Sequence, residues 1–376
     1  MSRPTQIKIN LSALRHNLGE IKRIAPNSLV LAMVKSNAYG HGLEQVALAL
    51  PDADAFGVAC LEEGTRLRHA GVKNSIVLME GLFRADELPR AVASDFTLVV
   101  HHSAQIEMLE KNPQIQPISV WLKIDTGMHR LGFEVSDVPH IYQRLLACSA
   151  VKKPIGLMTH FAESDSVEQS STQQQIEIFN AATQGLTAIR SLANSAGIIA
   201  WPAAHADWVR PGIILYGASP FAGRTGSEYN FQPVMSLTSE LIAIHHLKKG
   251  DRVGYGGTWA CPEDMRVGVV AIGYGDGYPR HAKAGTPMLV NGERCHLVGR
   301  VSMDMMSVDL RTQPHAKVGD PVLLWGPDLA VEIVAEHSDT NCYELLTRIT
   351  QRVHVEISSA DSSPFHEMAD VISASK

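Results

Sequence analysis

Apolar residues in the first half of the chain follow two spacings that alternate. Short apolar runs of strand length lie at 29–34, 55–59, 75–79, 96–100, 118–124, 155–158 and 213–216. Stretches with apolar residues at helical spacing lie between several of them, at 10–18, 42–50 and 168–192. Strands that alternate with helices predict βαβ units and a parallel sheet. About eight such units close a (β/α)8 TIM-like barrel, for which roughly 220 residues suffice.

The pattern changes after about residue 220. Apolar runs separated by Gly, Asp and Asn turns lie at 234–244, 253–255, 267–273, 288–290, 296–298, 306–310 and 321–324. Two short helices are expected near 331–337 and 342–348, followed by a tail from residue 362. The fold class is therefore α/β, with an N-terminal barrel domain over 1–228 and a mostly-β C-terminal domain over 229–376.

Composition excludes several classes of function. The chain has 376 residues, 19% of them charged, with a net charge of -6 and no basic run of the kind that binds nucleic acid. The apolar runs are too short to span a membrane, and the N-terminal residues lack an apolar signal core. The five cysteines have no disulfide or metal-site spacing, so we expect buried thiols, no metal site and a cytoplasmic protein.

Lys35 is the first residue that suggests chemistry. It follows the apolar run 29–34, and the carboxyl ends of barrel strands carry catalytic groups. Burial there lowers the pKa of an amine and makes it a Schiff-base nucleophile. A rim lysine whose ammonium reaches water has the same signature, and position alone favours that interpretation. Tyr39 lies four residues on, in a Gly-rich turn that suits an anion.

The segment around Lys35, MVKSNAYGHG at 33–42, resembles the pyridoxal-phosphate lysine motif of alanine racemases. Seven further segments match in the order of that family, up to about residue 357. They are KIDTGMHRLG at 123–132, MTHFA at 158–162, ANSA at 193–196, VRPGI at 209–213, GYGGT at 254–258, IGYGDG at 272–277 and GRVSMD at 299–304.

The resemblance implies an enzyme that interconverts L- and D-alanine with pyridoxal 5'-phosphate. It also implies a barrel followed by a β-rich domain, and a homodimer in which the partner's second domain completes each site. The enzyme either supplies D-alanine for peptidoglycan or degrades D-alanine. Both directions of the reaction use the same site, so the sequence leaves the choice open.

By the same resemblance, four residues carry the catalysis. Lys35 holds the cofactor and serves the D-face of the substrate, and Tyr255 of the partner subunit serves the L-face. A tyrosine base needs a lowered pKa, which cationic neighbours provide. His160 and Arg210 match the family residues that lie in a row beside this tyrosine and lower its pKa. In the family, the residue at the place of Arg210 also faces the pyridine nitrogen. Without the motifs, His160 is more simply a buried histidine bonded to backbone, and Tyr255 a packed turn residue.

The resemblance assigns the phosphate of the cofactor to Tyr39, Ser195 and the backbone N–H groups of Gly212 and Ile213. Glycine at 212 allows the backbone to approach an anion closely. The family often has a further tyrosine ligand near the C-terminus, and Gln351 occupies that place here. An amide can still donate a hydrogen bond.

The substrate carboxylate is assigned to Arg130 and to the backbone N–H of Met303 from the partner. An arginine fork suits a planar carboxylate. Lys123 matches a lysine that many family members carry carbamylated, as an anion that orients the arginine; an ordinary strand lysine paired with an acid is the alternative. The residues that match the family's substrate entrance are Tyr274, Arg280 and Arg300.

Other functions remain open at this level. A broad-specificity amino-acid racemase has the same fold, but such relatives are typically exported and disulfide-bonded. A non-enzymatic pyridoxal-phosphate carrier has the barrel without the second domain. A decarboxylase shares barrel and cofactor, but the segments containing Tyr255 and Met303 argue against it.

Overall fold

The structure, a computed structural model, describes residues 3–168 and 170–358. Within them the chain forms two compact units. The barrel unit comprises Leu18–Leu215 and Pro220–Ala222, and the β unit comprises the described residues of Met1–Asn17, Tyr216–Ser219 and Gly223–Lys376. The predicted tail from residue 362 lies outside the described residues.

The strands and helices follow in chain order. The strands are β1 (Gln6–Asn10), β2 (Leu29–Met33), β3 (Ala55–Val58), β4 (Ser75–Leu78), β5 (Phe96–Val100), β6 (Ile118–Lys123), β7 (Val151–Met158), β8 (Arg190–Ser191), β9 (Trp208–Val209), β10 (Met235–Leu247), β11 (Arg252–Val253), β12 (Trp259–Ala260), β13 (Met265–Val270), β14 (Pro287–Val290), β15 (Glu293–Val298), β16 (Met306–Asp309), β17 (Pro321–Trp325) and β18 (His354–Ser358). The helices are α1 (Leu11–Ile24), α2 (Lys35–Tyr39), α3 (Leu43–Ala49), α4 (Leu61–His69), α5 (Leu88–Ala93), α6 (Ser103–Glu110), α7 (Val138–Ala147), α8 (Ser171–Ala182), α9 (Ser195–Ala200), α10 (Val331–His337) and α11 (Cys342–Thr347).

Strands β2 to β9 form a closed parallel barrel in which each strand pairs with the next and β9 pairs back with β2. Buried side chains fill its interior, among them Leu31, Val77, Val99, Trp121 and Met158. The TIM-like barrel expected from the alternating pattern is therefore confirmed. Because side chains fill the barrel, a site can form only at the strand ends, and the loops after the strands shape it.

One predicted strand of the barrel is wrong, and two short ones were not predicted. Residues Ile213–Tyr216 form a 3₁₀ turn whose side chains are all buried. A short run that is buried on all sides has no periodicity that separates a strand from a helical turn. Strands β8 and β9 have only two residues each, which is too short to show alternation.

The β unit is an antiparallel sheet that closes on itself through the long strand β10. The sheet runs β13-β16-β15-β14-β17-β10, and β10 also pairs with β13. Strand β1 pairs with β10 and with β18, so the first strand of the chain belongs to this unit and not to the barrel. The expected mostly-β second domain is confirmed. In the part of the chain that the structure describes, we find no helix with the length and hydrophobicity to cross a membrane.

Candidate active site

Lys35 lies two residues after the end of β2, at the carboxyl end of the barrel, and its side chain is half-buried. Burial lowers the pKa of the amine, and the charge of Arg130 lowers it further, whereas Glu80 and Glu63 act in the opposite direction. A lowered pKa increases the unprotonated, nucleophilic fraction of an amine at neutral pH. This environment supports the reactive amine over the solvated rim lysine.

Within α2, the residues after Lys35 wind left-handed, so this element is a single left-handed turn and not a right-handed helix. Residues Ser36 to Tyr39 all have φ between 52° and 55°, and Gly40 ends the turn at 85°. A left-handed conformation costs a non-glycine residue roughly 1–2 kcal/mol and normally occurs in single residues. Four in succession persist only because surrounding contacts hold the backbone, and such strain is typical of functional sites.

The left-handed turn brings Tyr39 to Gly212. A Cβ on Gly212 would lie 2.5 Å from the Tyr39 hydroxyl oxygen, so only glycine leaves room for it. Burial raises the pKa of Tyr39 to about 12, which keeps the phenol a proton donor. The backbone N–H of Gly212 donates to Ser195 Oγ at 2.9 Å, and the hydroxyl hydrogen of Ser195 remains available to donate elsewhere.

These groups form a cradle of donors that suits an anion. The Tyr39 hydroxyl lies against Gly212, whose N–H donates to Ser195 Oγ, and Ile213 begins the buried 3₁₀ turn at this place. Hydroxyl and backbone N–H donors are the groups that bind phosphate in proteins. The residues present therefore fit the phosphate end of a phosphorylated cofactor.

Arg210 is buried in the same barrel and donates to several acceptors. Its guanidinium donates to Ser191 Oγ at 2.6 Å, to the carbonyl of Thr159 at 2.6 Å and to that of Leu192 at 3.0 Å. Burial lowers its pKa to about 10, so the group is still charged at neutral pH. Fixed in this way, Arg210 presents a permanent positive charge with a set orientation.

His160 follows β7 and lies against that charge. Arg210 Nη2 lies 3.4 Å from His160 Nδ1. Because a guanidinium can only donate, Nδ1 is the acceptor and the ring proton resides on Nε2. Burial, and then the charge of Arg210, hold the pKa of His160 well below its usual value. His160 is thus a neutral ring that offers an Nε2–H to a further acceptor.

Lys123 ends β6 and is only 8% exposed. Burial lowers its pKa to about 8, and the charges of Arg210, Arg130 and Lys35 contribute in the same direction. A buried amine among three cations is destabilised as an ammonium. The neutral amine is nucleophilic, and an anion at this place would instead be stabilised by all three charges.

Arg130 projects from the loop that follows β6 and is exposed. The carboxylate of Asp125 accepts from the backbone N–H groups of Gly127, Met128 and His129, which folds the loop tightly. The loop returns along β6, since Phe133 N donates to the carbonyl of Lys123 at 3.0 Å. The charge of Arg130 is thereby held where it acts on both Lys35 and Lys123.

The remaining predicted site residues belong to the β unit. Tyr255 is 69% exposed, in a turn where Gly254 and Gly256 have φ of 72° and 73°. An exposed tyrosine of this kind excludes the interpretation of a packed turn residue. Arg280, Arg300 and Gln351 are exposed as well.

Two loops of the β unit carry Tyr274 and Met303, and hydrogen bonds join them. Gly275 N donates to the carbonyl of Met303 at 2.8 Å, and Met303 is 52% exposed. The buried carboxylate of Asp276 accepts from Arg3 at 2.9 Å and from Arg352 at 2.6 Å. This ion-pair cluster fixes the loop of Tyr274, and through it the loop of Met303.

Sequence reasoning missed several residues that hold this site together. Gln175, which is 4% exposed, donates to Thr126 Oγ1 and to the carbonyl of His160, and accepts from Ala162 N. Glu63 accepts from the backbone N–H of Ser36, which follows Lys35, and from that of Ala59. No local sequence signal separates these residues from ordinary helix polar residues, because their partners are distant in sequence or lie in the backbone.

The fold and the site define a two-domain barrel enzyme with a reactive lysine and an anion cradle. The family model described as alanine racemase, N-terminal domain, matches residues 9–220, and the one described as alanine racemase, C-terminal domain, matches residues 234–357.

Individual relatives agree with the family models. An alanine racemase of Coxiella burnetii is 53% identical over 350 residues, which is 92% of this chain and 96% of the relative. A biosynthetic alanine racemase of Escherichia coli K12 is 52% identical over 348 residues, 92% of this chain and 97% of the relative. The crystal structure of biosynthetic alanine racemase from Pseudomonas aeruginosa matches with a TM-score of 0.92 at 45% identity, over 95% of this chain and 99% of that one. The chain belongs to the alanine racemase family and is an isomerase.

Proposed function

We propose that the chain interconverts L- and D-alanine with pyridoxal 5'-phosphate by a two-base mechanism. The observation that carries this proposal is the reactive environment of Lys35 together with the buried Arg210–His160 pair at the same end of the barrel. Lys35 supplies an amine with a lowered pKa. Arg210 supplies a fixed positive charge next to the neutral imidazole of His160.

The residues of the barrel unit fit the cofactor. Lys35 would hold it covalently, and Tyr39 and Ser195 would bind its phosphate together with the N–H groups of Gly212 and Ile213. When bound, pyridoxal phosphate delocalises the negative charge that develops at the substrate Cα after proton loss. With the cofactor bound, Arg210 would donate a hydrogen bond to its ring nitrogen without releasing the guanidinium proton.

Racemisation requires an acid and a base on opposite faces of the substrate Cα. Lys35, freed when the substrate amine replaces it, would accept or return the proton on the D-face, and the partner subunit's Tyr255 would do so on the L-face. The Nε2–H of His160 donates to the phenolic oxygen of that tyrosine and stabilises its anionic form. Arg210 maintains this direction of donation because it occupies Nδ1.

The substrate is held by its carboxylate. Arg130 and the partner's Met303 N–H bind this group, and Lys123, as a carbamate, orients Arg130. The entrance formed by Tyr274, Arg280 and Arg300 restricts the site to small amino acids. Pocket size discriminates by only about 1–3 kcal/mol per methylene, so serine is a slow second substrate.

We further propose a cytoplasmic homodimer whose sites take Tyr255 and Met303 from the partner. Its product enters peptidoglycan, or the enzyme degrades D-alanine. The high exposure of Tyr255 supports the dimer, because a catalytic tyrosine on the surface of one subunit can act only in the active site of a partner subunit.

Chiral chromatography tests the proposed activity. The purified protein with pyridoxal phosphate is incubated with an equal mixture of L-amino acids, and each D-enantiomer is quantified. We expect D-alanine to form far ahead of D-serine. Several D-amino acids forming together would establish a broad-specificity racemase, and no D-product from protein that retains the cofactor would contradict the proposal and favour a carrier.

A further inference from the structure

Glu63 joins the ends of two neighbouring barrel strands beside the reactive lysine. It lies on α4, and its carboxylate accepts from Ser36 N at 2.7 Å through Oε1 and from Ala59 N at 2.8 Å through Oε2. Ser36 follows β2, and Ala59 follows β3. Both oxygens are therefore used by peptide groups that the parallel ladder no longer pairs.

The contact continues the pairing of the two strands beyond its regular end. The last ladder hydrogen bond on this side runs from Val34 N to the carbonyl of Gly57 at 2.9 Å. Two residues further on, the chain turns left-handed and provides no strand partner. The Glu63 carboxylate takes the place of that partner, and the peptide that leaves Lys35 is held against β3.

The other end of the left-handed turn is held separately. His41 Nδ1 lies 3.0 Å from the carbonyl of Ala38 and 2.9 Å from that of Tyr39, and Asn37 Oδ1 accepts from Leu43 N at 3.1 Å. The strained turn is thus restrained at both ends. At the end next to Lys35, the Glu63 carboxylate restrains the turn together with the hydrogen bond from Ala38 N to the carbonyl of Val34 at 2.8 Å.

We propose that Glu63 is a positioning residue for Lys35, whose carboxylate fixes the backbone from which the reactive amine extends. This inference rests on the proposed role of Lys35 as the amine that holds the cofactor. Glu63 touches neither the amine nor the substrate, and acts through the Lys35–Ser36 peptide. Its negative charge has a second effect, since it raises the pKa of the amine, as Glu80 does, against the lowering effects of burial and Arg130.

The test compares Glu63→Met, which removes both acceptors at similar length, and Glu63→Gln, which keeps one acceptor, with Glu62→Met and Glu62→Gln. Glu62 is the exposed neighbour on the same helix. Apo-protein is mixed with pyridoxal phosphate, samples are quenched with borohydride at timed intervals, and peptide mass spectrometry follows the modification of Lys35 against that of the exposed Lys152.

We expect Lys35 to be captured about 10- to 100-fold more slowly in Glu63→Met, because a displacement of about 1 Å costs up to that factor. Glu63→Gln should lose less, while Lys152 and both Glu62 variants behave as in the wild type. The pH profile of Lys35 capture should move to lower pH in both Glu63 variants, which a loss of folded protein alone would not do. In the holoenzyme, kcat for alanine should fall with little change in KM.

Wild-type capture rates and an unchanged pH profile in Glu63→Met and Glu63→Gln would overturn the inference. If Glu63→Met does not fold, Glu63→Gln and its pH profile decide the question. Slowed capture in a protein whose wild type racemises no amino acid would support the positioning role and refute the proposed function instead.

Discussion

The contact between Gly212 and Tyr39 predicts a specific defect when a single methyl group is added. In Gly212→Ala the new Cβ would lie 2.5 Å from the Tyr39 hydroxyl oxygen and 3.1 Å from Cζ. Both distances are below van der Waals contact, so the phenol must move. Its backbone is held in the left-handed turn, and the displacement therefore falls on the hydroxyl end.

The magnitude follows from the contact that is lost. A hydrogen bond to a charged group contributes about 1.5–3 kcal/mol. At about 1.4 kcal/mol per factor of ten, losing that from Tyr39 to the phosphate weakens cofactor binding about 10- to 150-fold. Tyr39→Phe removes the same hydroxyl and should have a similar cost. Since both changes act on one hydrogen bond, the double variant should bind about as weakly as the weaker single variant.

The assay is equilibrium dialysis of pyridoxal phosphate against the four proteins of this cycle. Gly19→Ala is the matched control, because it lies within α1 and its Cβ would meet nothing within 4 Å. It should bind the cofactor like the wild type. Wild-type affinity in Gly212→Ala, or strictly additive losses in the double variant, would refute the reasoning.

Three further predictions follow from individual groups. Burial lowers the pKa of Lys123 to about 8, so its amine should gain one CO2 from bicarbonate as the pH rises through 8, which native mass spectrometry detects. Lys123→Glu should retain activity without bicarbonate. An unmodified Lys123 amine at pH 9 would contradict this prediction. Tyr255→Phe should abolish proton exchange at the Cα of L-alanine in deuterated water and leave exchange of D-alanine by Lys35 measurable; equal losses for both enantiomers would contradict the two faces. Burial lowers the pKa of His41 from 6.5 to about 4, so the unfolded state binds the extra proton as the pH falls between these values and stability declines. The free energy of unfolding in urea should drop by about 2 kcal/mol more from pH 7 to pH 5 than in His41→Gln, and an identical pH dependence in the two proteins would count against a neutral buried His41.

Much of the architecture was predictable because it repeats over many residues. The run at 96–100 coincides with β5, and the helix predicted at 331–337 coincides with α10. The run at 213–216 failed because a fully buried 3₁₀ turn and a buried strand have the same composition. Strand β1 could not be assigned to the β unit, since its partners β10 and β18 lie far along the chain.

The sequence by itself determined the two-domain organisation, the motifs and the residue types of the site, because these depend on spacing along the chain. Only the tertiary structure decided how those residues are held. The acceptor role of His160 Nδ1 depends on Arg210 lying 3.4 Å away, and the restraint on Lys35 depends on two backbone N–H groups that meet at Glu63. Backbone groups carry no residue identity, and pKa shifts arise from burial and from charges distant in sequence, so neither has a signal in the order of residues.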